Sequence, residues 1–219
     1  MEEQLDSILY SKEVIEFVTV ANQLCLFFEQ GQDIARKDFL DKLQKLLPLL
    51  YLKASLLPNL EPNFDDGNEK FIQEHDWQAI KDMVSYKLGA FDEYSEIHDP
   101  RQSVEFEQYE ATLSENIADI YQDLKDFLML YRISPDEIMN DAIWEVKQNF
   151  ESFWGQYAVN AMRAIHYLVF HNSEYAQEID EDYLSSESDK NQQLRNDSDN
   201  WFISQRQQEN KEGNDDEWE

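Results

Sequence analysis

The sequence predicts an all-α protein, a helical bundle of about five or six helices followed by an acidic C-terminal tail. The first observation is composition: 219 residues contain 22 Leu but only 5 Gly, 5 Pro and 2 Thr. Strands favour β-branched residues and turns favour glycine, so this balance disfavours an all-β fold. The second observation is that apolar residues recur at steps of three and four along most of the chain, which is the helical period.

The first two helices are predicted over roughly residues 11–30 and 38–57. Gly31 follows the first, where a left-handed residue commonly ends a helix. Pro58 ends the second, because the residue before a proline is pushed out of the helical region. The apolar stripe of the first helix consists of Val14, Val18, Ala21, Cys25 and Phe28.

Two further helices are predicted in the middle of the chain. One carries Trp77, Ile80, Val84, Leu88 and Phe91 on a single face. The other runs from about Ser103 or Tyr109 to Arg132, and no sheet is expected between them. Its apolar face consists of Leu113, Ile117, Ile120, Leu124, Phe127, Leu128 and Tyr131.

The last helical segment begins with the local pattern Ser-Pro-Asp-Glu at residues 134–137. Ser134 and Glu137 predict a capping box, and proline suits the first helical position. This helix extends toward His171, with Gly155 as the natural place for a break. Because residues 157–170 are apolar nearly all round, the segment is predicted to be a central helix packed by neighbours.

Charge divides the chain into a helical domain (residues 1–171) and an acidic, largely disordered tail (residues 172–219). The formal net charge is −29, and the tail holds 15 acidic and 4 basic residues, which leaves −18 for the domain. Low hydrophobicity with high charge is typical of disorder. The exceptions in the tail are the apolar residues Trp201, Phe202 and Ile203.

The same charge excludes several kinds of partner. Binding to nucleic acid or to an anionic membrane needs a basic face, which this chain lacks, so the expected partner is another protein. No apolar run approaches the roughly 20 residues that span a bilayer. The N-terminus has no basic segment before an apolar run, and the single cysteine, Cys25, cannot form an internal disulfide. These features predict a cytoplasmic protein.

Four segments resemble a bacterial family known as domain of unknown function 5063. They are residues 11–29, 46–58, 113–127 and 150–166, and the resemblance covers roughly residues 8 to 171. It implies a cytoplasmic, all-helical protein. It brings no activity, cofactor or catalytic residue.

An acidic stripe on the fourth predicted helix is the candidate metal site. Glu115, Asp119, Asp123 and Asp126 step by four, four and three, and carboxylate oxygens are the ligands that Mg²⁺ prefers. The favoured interpretation is nevertheless a solvated helix face, since acidic faces are expected at this net charge. No resident cofactor is therefore predicted, and Mg²⁺ remains the alternative.

Histidine and cysteine spacing does not favour a metal centre. No histidine has a glutamate three residues before it, as a di-iron bundle requires. His166 and His171 are five residues apart, so a shared ligand face is not expected. His166 is interpreted as a core residue and His171 as a helix C-terminal cap.

Arg163 is the odd residue in the apolar segment 157–170, because a cation there must pair, reach the surface or face a pocket. An ion pair with an acidic residue of a neighbouring helix is the favoured interpretation. The candidate contacts for a ligand or partner are Trp144, Trp154, Tyr157, Arg163, Trp201 and Phe202.

Three functions stay open at this point. The first is a non-enzymatic protein-interaction module. The aromatic residues of the tail favour it, and so does the absence of catalytic motifs. The second is a Mg²⁺-dependent helical hydrolase acting on a phosphate-containing small molecule through the acidic stripe. The third is an acidic decoy that mimics DNA and occupies a basic protein. The oligomeric state does not follow from the sequence.

Overall fold

The computed structural model describes residues 8–64, 67–96, 109–172, 174, 175 and 177. The chain divides into two units, Met1–Asn172 and Ser173–Glu219, and the first is described below. Of the predicted acidic tail (residues 172–219), only residues 172, 174, 175 and 177 are described, so its predicted disorder and the contacts of Trp201 and Phe202 lie outside the described residues. The elements of the first unit are α1 (Lys12–Glu29), α2 (Arg36–Ser55), α3 (Glu74–Leu88), β1 (Glu93–Glu96), β2 (Tyr109–Thr112), α4 (Leu113–Ile133), α5 (Asp136–Asn149) and α6 (Gly155–His171).

Helix α4 occupies the centre of the bundle, where it packs against α1, α3, α5 and α6. Its predicted apolar face is confirmed, since Ile117, Ile120 and Leu124 are fully buried. The prediction that residues 157–170 form the central helix is wrong. Helix α6 packs on α2 and α4 but leaves one face exposed.

The expectation of no sheet is corrected by a short antiparallel pair. β1 pairs with β2 in the register that places Glu93 opposite Thr112, so Tyr109 belongs to a strand and the helix begins at Leu113. Thr112 Oγ1 caps α4 by accepting from the backbone N–H of Glu115 at 3.2 Å. This side-chain acceptor is what allows the chain to change from strand to helix at that point.

The predicted capping box at Ser134 is wrong. Ser134 ends α4, where its backbone N–H donates to the carbonyl of Leu130. α5 begins at Asp136. The carbonyl of the preceding residue, Pro135, accepts from the backbone N–H of Met139 at 2.9 Å. No side-chain hydrogen bond caps α5 in the described part of the chain.

A π-helical turn, Phe150–Trp154, joins α5 to α6 at the position where a break was predicted. The backbone N–H of Gly155 donates to the carbonyl of Phe150, the long bond that defines such a turn. A Cβ atom at residue 155 would overlap this carbonyl oxygen and lie 3.0 Å from the Phe150 ring. Glycine is therefore required here for close backbone approach.

Between α2 and α3 the chain crosses α5 as an irregular connection, whose described part (residues 56–64 and 67–73) is called here the strap. The carboxylate of Asp141 holds it by accepting from the backbone N–H groups of Asn63 at 2.7 Å and Phe64 at 2.9 Å. Lys147 Nζ donates to the carbonyl of Leu57 at 2.8 Å. These bonds satisfy backbone groups that no helix or strand pairs.

Candidate functional site

The acidic stripe of α4 begins with two carboxylates that are bound by side chains of α3. Glu115 forms an ion pair with Lys81 at 2.6 Å, and this hydrogen bond lowers the pKa of Glu115. Asp119 Oδ1 accepts from the indole N–H of Trp77 at 2.8 Å. Burial raises the pKa of Asp119. Both side chains therefore tie α3 to α4.

The other two carboxylates of the stripe face different elements. Asp123 Oδ1 accepts from Asn149 Nδ2 at 3.1 Å, and burial raises the pKa of Asp123 to about 6. Asp126 is 2% exposed, and its Oδ1 accepts from the backbone N–H groups of Phe71 at 2.8 Å and Ile72 at 2.9 Å. Asp126 thus anchors the strap to α4.

The interpretation of the stripe as a solvated face is consequently wrong. Of its members only Glu115 is exposed to a large extent, with 44% of its side chain accessible. The central position of α4 places helices on several sides of it, so that a polar stripe on this helix also meets protein. In the described residues no three His, Cys, Asp or Glu side chains are gathered closely enough to hold a metal ion.

Asp119 and Asp123 instead belong to a polar cluster between α4, α6 and β1. Burial raises the pKa of Tyr157, and the carboxylates of Asp119, Glu96 and Asp123 each raise it further. The buried Asn160 donates to Glu96 Oε1 at 3.1 Å. The polar cluster is defined here as Tyr94, Glu96, Asn116, Asp119, Asp123, Tyr157 and Asn160.

Within the part of the chain that the structure describes, Arg163 does not form the predicted ion pair with an acidic residue of a neighbouring helix. It is exposed and donates to the backbone carbonyl of Ser95 on β1. Its charge lowers the pKa of Tyr94, although burial, the larger effect, raises that pKa. Arg163 therefore fixes the edge of the polar cluster to the strand.

The two candidate tryptophans lie elsewhere. Trp154 is fully buried and packs against Phe150 with ring centroids 4.8 Å apart. Trp144 lines a cavity of about 330 Å³ beside the strap, together with Asn59 and Lys147. The predicted grouping of Trp144, Trp154, Tyr157 and Arg163 therefore does not form around one ligand.

The exposed side of α6 carries a surface defined here as the aromatic face: Val159, His166, Tyr167, Phe170 and His171. Tyr167 is 57% exposed and Phe170 is 60% exposed. His166 is exposed, so the prediction that it is a core residue is wrong. The centroid of its ring lies 4.8 Å from that of Phe170 and 5.7 Å from that of His171. No Asp or Glu occurs between Ser152 and Ser173, in a chain with 47 acidic residues.

Sequence reasoning missed the buried Asn116, Asp141 and Asn160. Asn160 had a usable signal, because an amide in an otherwise apolar segment must find a partner when it is buried. Asp141 had no such signal, because polar residues are common along α5 and the strap that Asp141 binds is distant in sequence.

Comparison with known proteins places this architecture in a family. The family described as Domain of unknown function (DUF5063) matches residues 8–171. The chain belongs to this family. The resemblance of the four sequence segments is thereby confirmed over the same residues.

A solved structure shows a similar fold. The crystal structure of protein BF1032 from Bacteroides fragilis is 37% identical in sequence, with a TM-score of 0.67. The similarity covers 76% of this chain and 98% of that one. No curated protein matches the sequence. In the described residues, every helix is too short or too polar to cross a membrane.

Burial of Asp123 leads to a testable pH dependence. Below the ordinary carboxyl pKa of 3.8 both the folded and unfolded states hold the proton; as pH rises to about 6, the unfolded state loses it first. The folded state therefore loses stability over this interval. Asp123→Asn removes the effect, so the variant is expected to gain stability over the wild type as pH rises, with the gain constant above about pH 6.

Urea unfolding of the wild type and the variant between pH 4 and pH 8 measures this gain. Asp82→Asn, an exposed aspartate on α3, is the matched control and is expected to show a much smaller pH-dependent difference. A difference between Asp123→Asn and wild type that stays constant with pH would contradict the burial of this carboxyl.

Proposed function

We propose that this protein is a non-enzymatic, cytoplasmic protein-interaction module that binds its partner through the aromatic face of α6. The observation that carries the proposal is an exposed aromatic surface without acidic residues on a chain of net charge −29. Aromatic side chains are enriched in the cores of protein interfaces, and charged residues are depleted there. Clustered exposed apolar side chains also mark interaction sites more often than scattered ones.

The energetics of such a surface suit a specific interface. Tyr167 and Phe170 are each more than half exposed, so binding can remove a large apolar area of both side chains from water. Tyrosine is among the residues that contribute most to binding when buried at an interface centre. His166 and His171 supply ring edges and hydrogen-bonding nitrogens around them.

Charge indicates the chemistry of the partner. Residues 1–171 carry a net charge of −18, whereas the aromatic face itself contains no acidic residue. A protein with an apolar patch rimmed by Lys and Arg would complement both parts. The long-range field would increase its association rate, and this increase would fall with ionic strength.

The experiment is a crosslinking pull-down with mass spectrometry on the full chain. The double change Tyr167→Ser and Phe170→Ser is expected to reduce recovery of the partner at least tenfold, because it removes the apolar centre of the interface. Tyr86→Ser is the control, since Tyr86 is 84% exposed on α3, outside the aromatic face. Recovery should also fall as NaCl concentration rises.

Three results would count against this proposal. The first is equal recovery by the aromatic-face variant and the wild type. The second is an equal loss with Tyr86→Ser. The third is a partner with net negative charge. Far-UV circular dichroism of both variants shows whether any loss comes from unfolding instead.

The Mg²⁺-dependent hydrolase remains a second candidate because the carboxylates of Asp119 and Asp123 both act on Tyr157. A carboxyl with a pKa of about 6 can accept a proton near neutral pH. The Asp123→Asn variant tests this candidate too. A metal site requires a saturable rise in melting temperature with Mg²⁺ that monovalent salt does not reproduce and that the variant lacks. The DNA-mimic decoy is a third candidate, which a carboxylate spacing like that of phosphates would support.

A further inference from the structure

A second candidate binding region lies between α1, the end of α4 and the start of α5. It is a cavity of about 480 Å³, called here the cationic cavity. That volume falls within the range of small-molecule sites, roughly 300–1,000 Å³. The cavity shares no lining residue with the aromatic face or the polar cluster.

Two cationic side chains and one carboxylate line this cavity, on a chain whose formal net charge is −29. Lys125 and Arg132 line it, with Asp136 as the acidic member. Lys125 Nζ is paired with Glu29 at 2.5 Å. Arg132 forms no ion pair with any residue in the described ranges, so its guanidinium is available to an anion. A planar guanidinium binds a carboxylate through two parallel hydrogen bonds.

The remaining walls are mainly apolar and adaptable. Leu128, Met129 and Met139 line the cavity, and unbranched thioether side chains adjust to ligands of different shape. The hydroxyl of Tyr10 contacts only the sulfur of Met139, at 3.9 Å, within the described residues. Tyr10 is 55% exposed, so its hydroxyl can also donate to a ligand in the cavity.

We propose that the cationic cavity binds a small organic anion with an apolar body, such as an aliphatic carboxylate. Arg132 holds the carboxylate at the mouth, while Met129, Met139 and Leu128 cover the hydrocarbon. The proposal does not depend on the aromatic face, because the two surfaces lie on different elements.

Isothermal titration calorimetry on the full chain, at fixed ionic strength, tests the proposal. The probe is octanoate. Octylammonium carries the same chain with the opposite charge, and acetate carries the same headgroup without the chain. The wild type is expected to bind octanoate saturably with a stoichiometry of one, and to bind each of the other two probes at least tenfold more weakly.

Variants assign the headgroup contact. Arg132→Gln is expected to weaken octanoate binding at least tenfold, and Arg132→Lys is expected to weaken it less, since it keeps the charge but not the paired donors. Lys37→Gln is the matched control: Lys37 is an exposed cation on α2 outside the cavity lining, and its loss changes the net charge equally. Its expected effect is less than twofold.

Several outcomes would overturn the proposal. The first is that octanoate shows no saturable binding at concentrations up to about 10 mM, a weak limit for specific recognition. The second is that octylammonium binds as tightly as octanoate. The third is that Arg132→Gln and Lys37→Gln weaken octanoate binding equally. Because Arg132 is exposed, its variants should keep the melting temperature of the wild type, which differential scanning fluorimetry checks.

Discussion

Asp126→Ala is expected to lower the free energy of unfolding by about 3–5 kcal/mol, because it removes two hydrogen bonds to a charged acceptor and leaves backbone donors without partners. Oδ1 of Asp126 accepts from both Phe71 and Ile72, and the side chain is 2% exposed. Water therefore cannot readily replace the carboxylate. Chemical denaturation with urea, followed by circular dichroism, measures the loss.

The conservative change Asp126→Asn provides the comparison. Its side-chain oxygen can still accept from both N–H groups, so its expected cost is about 1–2 kcal/mol, the difference between charged and neutral acceptors. Asp82→Ala, at an exposed position on α3, should stay within about 0.5 kcal/mol. Equal effects of the three changes would show that Asp126 does not anchor the strap.

Gly155→Ala is expected to destabilise the protein by about 3 kcal/mol, at the upper end of the usual cost of overpacking. The added Cβ atom would overlap the carbonyl oxygen of Phe150 and approach its ring to 3.0 Å. Backbone atoms move less readily than a flexible side chain, so the π-helical turn must open or shift register. The same unfolding experiment measures the cost, and a changed near-ultraviolet circular dichroism spectrum, to which the buried Trp154 contributes, reports whether the turn has rearranged.

Gly67→Ala separates steric overlap from the general effect of replacing glycine. Gly67 has φ of +72°, and nothing in the described part of the chain lies within 4 Å of a Cβ atom built there. Its expected cost is about 1 kcal/mol, the penalty for a side chain in the left-handed region. If Gly155→Ala cost no more than Gly67→Ala, the close approach at the π-helical turn would not exist in solution.

Helical periodicity and turn residues were sufficient to predict most of the helices in the helical domain. The stripe containing Val14, Ala21 and Cys25 is buried in α1, and the face containing Ile117 and Leu124 is buried in α4. Burial raises the pKa of the Cys25 thiol to about 12, which agrees with its assignment to the core. These features depend on residues that are close in sequence, so a single chain carries the signal for them.

The partners of the candidate site residues could not be predicted from apolar spacing. Glu115, Asp119, Asp123 and Asp126 have the spacing of a solvated face, yet each bonds to a residue from another element. Periodicity shows that a stripe is polar but not whether water or protein covers it. Asp126 pairs with a segment more than 50 residues earlier, and no local pattern links the two.

The sequence alone determined the fold class, the family and the strong negative charge, because these follow from composition, from apolar spacing along each helix and from local segments. Tertiary structure decided which helix is central, that Tyr109–Thr112 is a strand, and that residues 157–170 keep an exposed aromatic face. It also decided which carboxylates are buried. The physical reason is that burial depends on what each helix face meets, and those neighbours are brought together by packing between residues distant in the chain.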